Sequence, residues 1–89
     1  MSEMFQIDKV QSKAYVMINC EGGSEEHVLD EIRTFPEIKH STLTIGRADI
    51  LALIEACSPE ELREIIYIKI RKIPEIRCTT ILVCTEPGT

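Results

Sequence analysis

The stretch Thr44-Ile45-Gly46-Arg47-Ala48-Asp49 carries the residue types best suited to holding a small ligand. Gly46 frees the backbone for a tight turn or for close approach of another chain. Arg47 and Asp49 set opposite charges two residues apart. A zwitterion such as a free amino acid needs this combination: an acceptor for its ammonium and donors for its carboxylate. An ordinary hairpin turn with an Arg–Asp surface pair would use the same residues, and the sequence leaves both readings open.

Other chemistry is thinly supplied. No nucleophile–base pair is evident. His27 falls in a helical stretch beside acidic residues and His40 in a strand-like one, so each reads as a surface or packing residue. Gly22-Gly23 lacks the G-x-G-x-x-G spacing of a phosphate loop. Cys20, Cys57, Cys78 and Cys84 form no C-x-x-C pair, and no His is near enough in sequence to suggest a zinc site. They lie in apolar runs and are expected to be buried, reduced thiols packing as small hydrophobes. No cofactor is implied.

The elements that must position the loop follow from the pattern of the chain. Its 89 residues fit one small domain. A chain this short buries a modest core, so partner subunits would add to its stability. With 44% hydrophobic residues and no Trp, that core is aliphatic. The net charge of −5 disfavours direct DNA binding, which relies on basic side chains neutralising phosphates. No apolar run is long enough to span a membrane and MSEMFQIDKV does not read as a signal peptide, so a cytoplasmic location is expected.

Lys13 to Cys20 alternates as a strand, with Ala14, Val16, Ile18 and Cys20 on one face. Ser24 is placed to cap a helix bearing the apolar stripe Val28, Leu29, Ile32 and Phe35, which Pro36 ends. Ile38 to Ile45 is rich in β-branched residues and reads as a strand. Asp49 to Cys57 is almost wholly apolar, which predicts a central strand covered on both faces. Ser58-Pro59-Glu60-Glu61 is a helix start with a capping box. That helix is predicted to reach about Lys72, burying Leu62, Ile65, Ile66, Ile68 or the Lys69 stem, and Ile73. Ile76 to Thr85 is the last strand.

One phrase is written twice, as RTFPEIK over 33–39 and RKIPEIR over 71–77. Each copy covers a helix end, a turn and a strand start, so the chain is a doubled βαβ unit. The predicted fold is α+β, ferredoxin-like βαββαβ, with an antiparallel sheet ordered 4-1-3-2 and both helices on one face. The other face keeps Tyr15 and Met17 on strand 1 and alternating apolar residues on strands 3 and 4. A patch of that size predicts a homodimer packed sheet to sheet, an α+β barrel-like dimer.

Taken in order, AYVMINCEGG, a helix ending FPEI, TIGRADILALIEA, SPEEL and KIPEIRCTTILV resemble the effector-sensing RAM domain of the Lrp/AsnC transcriptional regulators. The resemblance assigns an N-terminal arm to 1–12, a RAM domain to 13–86 and a tail to 87–89. It implies sheet-to-sheet dimers assembling into an octamer or similar ring, with small amino-acid effectors at the interface between dimers. The family's G-x-aromatic-D loop falls on Gly46, Arg47, Ala48 and Asp49; Gly46 and Asp49 match, and Ala48 departs from the usual aromatic residue. The facing effector-responsive segment falls on Thr79, Thr80, Leu82 and Cys84. The helix-turn-helix common in the family is not among the twelve residues before the domain, so the chain is similar to stand-alone RAM proteins. Such a protein would act by forming mixed oligomers with a full-length regulator.

Two other function classes share the architecture. A small dimeric α+β-barrel enzyme, of monooxygenase, isomerase or decarboxylase type, needs a barrel cavity lined by His, Asp or Arg. RNA-recognition domains need aromatic residues on the sheet face and a basic balance. Tyr15 alone, in an acidic chain, does not meet that description.

Overall fold

The computed structural model describes residues 12–84. The expected arm lies outside the described residues except for Ser12, which opens the first strand, and the expected tail also lies outside them. The elements are β1 (Ser12–Cys20), α1 (Glu25–Ile32), β2 (Ile38–Leu43), β3 (Ile50–Ala56), α2 (Pro59–Glu64, running on as a π-helix over Ile65–Ile70) and β4 (Ile76–Val83). The strands form one antiparallel sheet in the order β2-β3-β1-β4, which is the predicted 4-1-3-2 counted from the other edge.

Alternation in β1 and β3 builds the core. Ala14, Val16, Ile18 and Cys20 are buried beside Ile50, Ala52, Ile54 and Ala56. They pack with Val28, Leu29 and Ile32 of α1 and with Leu62, Ile65, Ile66 and Ile70 of α2 and its extension. The helices therefore cover one face of the sheet. On the other, Tyr15 is exposed and Met17, Leu51 and Leu53 are only partly buried. Among the described residues β3 is thus covered on one face, not on both as its unbroken apolar run suggested. The open face is also less apolar along β4 than expected, because register places Cys78, Thr80 and Leu82 there.

The two helix starts differ. At α2, Ser58 Oγ accepts from Glu61 N–H at 3.1 Å, and Glu61 Oε1 accepts from Cys57 N–H at 2.8 Å. This is a capping box that reaches one residue further back than usual. At α1 the predicted Ser24 cap does not form. Its hydroxyl donates to Glu21 O at 2.6 Å instead, and Glu25 Oε1 takes the Gly23 N–H.

The repeated phrase folds twice into the same corner. Ile38 N–H donates to Phe35 O and Ile76 N–H to Ile73 O, each at 3.0–3.1 Å. Each corner then sends its glutamate towards the helix of the other half. Glu37 meets Lys69 Nζ at 2.9 Å, while Glu75 Oε2 lies 3.8 Å from His27 Nε2. Burial alone would raise the Glu37 carboxyl, but hydrogen bonds from Lys69 and the backbone, with the Lys69 and Lys39 charges, hold it below its ordinary value. Among the described residues Glu75 Oε1 is buried with no hydrogen-bond partner.

The second helix departs from the predicted spacing. Ile70 is fully buried and Ile68 is 53% exposed. Arg71 N–H donates to Ile66 O, five residues back, in the wide π-helical turn that rotates Ile70 onto the core face. Replacing Ile70 with Ala should therefore cost about 2–5 kcal/mol in urea unfolding, and Ile68→Ala less than about 0.5 kcal/mol. Equal losses would contradict the π-helical register.

Candidate functional site

The loop between β2 and β3 is a pinned structure. Thr44 N–H donates to Asp49 O and Thr44 Oγ1 to Ala48 O at 2.8 Å, closing the turn. Gly46 sits at its tip with φ of 126°, a conformation that side chains resist. From the neighbouring strand, Asn19 Nδ2 donates to Arg47 O at 2.7 Å and Cys20 N–H donates to Asp49 Oδ2 at 2.9 Å. The antiparallel pairing of Ile18 with Ile50 puts the end of β1 directly beside the start of β3, so the last residues of β1 serve as the clamp.

The loop borders two hollows. Asp49 lines one of about 610 Å³, with Glu25, Glu26, Leu43, Thr44 and Ile45. Arg47 and Ala48 line a smaller one of about 250 Å³, with Met17, Thr44, Ile45 and Leu51. The two charges of the loop therefore serve different hollows. Ile45 borders both and is fully exposed at the tip.

The β4 residues stand apart from the loop. Thr79 pairs with Ile18 on the helix side, whereas Thr80 pairs with Met17 and Leu82 with Tyr15 on the open side. Cys84 N–H donates to Lys13 O, at the far end of β1 from Asp49, about 20 Å away at the rise of a strand. One chain thus gathers Gly46, Arg47, Ala48 and Asp49 and leaves Thr79, Thr80, Leu82 and Cys84 on a separate edge.

The thiols also differ from expectation. Cys20 is buried, but Cys57, Cys78 and Cys84 are exposed. Burial pushes the Cys20 thiol up; the Ser24 hydrogen bond opposes this, and the nearby Asp49 and Glu25 charges add to it. Cys57 follows the end of β3, Cys78 lies on the edge strand β4 and Cys84 just follows it, and no described residue forms a layer over either. His40 borders a shallow groove on the open face with Tyr15, Leu51 and Leu53. Among the described residues no three metal-ligating side chains cluster, and no helix is long and apolar enough to cross a membrane.

Asn19, the Cys20 amide, Glu25 and Glu26 were not singled out from the sequence as parts of the site. Only strand register could have found the first two, because nothing local says that Asn19 lies beside Arg47.

Fold and loop together define an α+β ferredoxin-like domain with a polar turn at one end of its sheet. The family model for the Lrp/AsnC ligand binding domain matches residues 13–87, and the chain belongs to that family. Comparison with curated proteins gives no match. Among solved structures the chain is similar to FFRP-DM1, at 27% identity and a TM-score of 0.82, over 84% of this chain and 100% of that one. It is similar to AsnC of E. coli at 16% identity and a TM-score of 0.85, over 99% of this chain and 62% of that one. It is also similar to the transcriptional regulator NMB0573 of Neisseria meningitidis, solved as an L-Met complex, at 9% identity and a TM-score of 0.81, over 100% of this chain and 60% of that one. The last two likenesses are of fold, and the chain spans about three-fifths of each regulator.

Asp49→Ala removes the carboxylate that holds the Cys20 N–H. It should lower stability by about 1–3 kcal/mol, seen as a reduced melting temperature in circular dichroism. An unchanged melting temperature would mean that the carboxylate does not brace the loop.

Proposed function

We propose that this chain is a noncatalytic regulatory module that self-assembles and binds a small amino acid at the interface between dimers. The observation that carries the reading is Asp49. Its carboxylate lies at the family's loop position, held by one oxygen, and borders a hollow of about 610 Å³. It accepts from the ligand ammonium, while Arg47 or backbone N–H groups near Gly46 hold the carboxylate.

Because Arg47 and the β4 residues lie away from Asp49 in one chain, the complete site takes contributions from more than one copy. Thr79, Thr80, Leu82 and Cys84 form the wall supplied by a neighbour. Sheet-to-sheet dimers cover Tyr15, Met17, Leu51 and Leu53, and further loop contacts through Ile45 build an octamer or similar ring. The L-Met bound by NMB0573 supports a small amino-acid effector. The module works in the cytoplasm by entering mixed oligomers with a full-length Lrp/AsnC-type regulator, without touching DNA itself. No observation among the described residues favours a barrel enzyme over this reading.

Calorimetric titration of the folded protein with each of the twenty amino acids tests the effector role. Saturable heat with at least one, lost in Asp49→Ala at a temperature where that variant is still folded, is the expected result. Absence of heat with all twenty would reject amino-acid sensing.

A further inference from the structure

Ile45 is the most exposed large hydrophobic side chain among the described residues. It stands on a loop that is held stiff from both sides. Thr44 is tied to Ala48 and Asp49, and Asn19 and Cys20 tie the loop to β1. A side chain on such a loop is already placed, so docking it costs little further ordering. An apolar groove lies elsewhere in the fold, around a hollow of about 250 Å³ between α2 and β4. Leu62 and Ile66 are its buried floor, and Tyr67, Ile81 and Val83 are its walls. Tyr67 and Val83 are more than half open to water or close to it, at 50% and 58%. Ile81 and Val83 pair with Val16 and Ala14, so the groove belongs to the helix side and not to the open sheet face.

Knob and groove sit at opposite ends of the strands. Asp49 N–H donates to Ile18 O near the end of β1, while Val83 pairs with Ala14 near its start. That is about 13 Å along the sheet at the rise of a strand. Across the sheet, β1 separates β3, which the loop leads into, from β4. One chain therefore cannot fill its own groove with Ile45. The surroundings also differ in sign. Glu25, Glu26 and Asp49 line the hollow beside Ile45 with no basic residue, and Arg47 borders the other hollow. Arg63 lines the groove with no acidic residue, and Arg71 stacks over the Tyr67 ring at 5.1 Å. Glu60 and Glu64 of α2 do not line it.

We propose that Ile45 of one copy seats in the α2–β4 groove of a second copy, with Arg63 of that copy against Glu26 of the first. This rests on the ring assembly proposed above and names its contact. A lone aliphatic side chain in an apolar pocket, ringed by charges of opposite sign, is the anchor-and-rim form of a specific interface. Glu26 is the carboxylate for Arg63, because Glu25 Oε1 already accepts the Gly23 N–H. The contact is heterologous: each copy gives a knob and receives one, so contacts run from copy to copy until a ring closes. It uses the loop and the helix side, and it leaves Tyr15, Met17, Leu51 and Leu53 to the sheet-to-sheet dimer.

The test is sedimentation of the full chain and its variants, each first shown to be folded by circular dichroism. The parent is expected to sediment above the mass of a dimer. Ile45→Asp and Val83→Asp charge the knob and the groove wall, and each should stop at the dimer. Tyr67→Ser takes the place of Val83→Asp if that variant does not fold. An equimolar mixture of the knob and groove variants should regain mass, because each keeps the half that the other lacks. Arg63→Glu should raise the concentration needed for assembly by about tenfold, and adding Glu26→Arg to it should reverse the change. Knob and groove variants that keep the parent's mass would overturn this contact and leave the ring to other surfaces. Loss of assembly in the groove variant alone would give the groove another occupant, such as the chain's own residues 1–11, and would overturn it too. So would a mixture that stays dimeric. A parent that stops at the dimer rejects the ring reading, and this contact with it, while the sheet-to-sheet dimer stands.

Discussion

Two βαβ crossovers place both helices on the same face of this sheet, and the rest of the molecule answers to that constraint. One face of β1 and β3 can be filled completely, and it is, by small and branched side chains fully removed from water. The opposite face receives no covering layer from the described residues. Because residues alternate strictly across a strand, Tyr15, Met17, Leu51 and Leu53 cannot turn inward without turning the core outward. The open face is the necessary complement of a well-made core.

The same pairing builds the loop between β2 and β3. Antiparallel register brings the end of β1 against the start of β3, so Asn19 and Cys20 reach the loop that β3 begins from. Their hydrogen bonds fix Arg47 O and Asp49 Oδ2. The chain presents Asp49 on the helix side and Arg47 at the hollow shared with Met17 and Leu51. Under the proposed function, a loop divided in this way is half of a recognition surface, and assembly joins it to its other half. On that proposal, binding and oligomerisation depend on one another through the geometry of a single turn.

Much of this was legible in the chain. The doubled RTFPEIK and RKIPEIR phrase announced two equivalent corners, and the structure builds them with the same turn. Ser58-Pro59 and Glu61 announced the start of α2. Local signals failed where a second partner decides the outcome. Ser24 lost its cap to Glu21 O, a choice made by the preceding turn. Ile68 was offered to the core with the Lys69 stem as its alternative, but the core takes Ile70, because the π-helix over Ile65–Ile70 widens the turn in a way that a regular helical period does not contain. Cysteine in an apolar run looked buried, yet Cys78 faces the open side of the sheet, where no described residue forms a layer above it. For the loop, residue types pointed to a ligand, but the division of Arg47 and Asp49 between two hollows is a property of register and not of spacing.

The central claim is that the open sheet face is covered by a second copy. Sedimentation of Leu53→Asp beside the parent chain tests it most directly, because this side chain lies at the middle of that face and outside the core. The account predicts that the parent sediments as an assembly and that the variant, with its circular dichroism unchanged, sediments as single chains. A variant that remains folded and keeps the parent's assembled mass would contradict it.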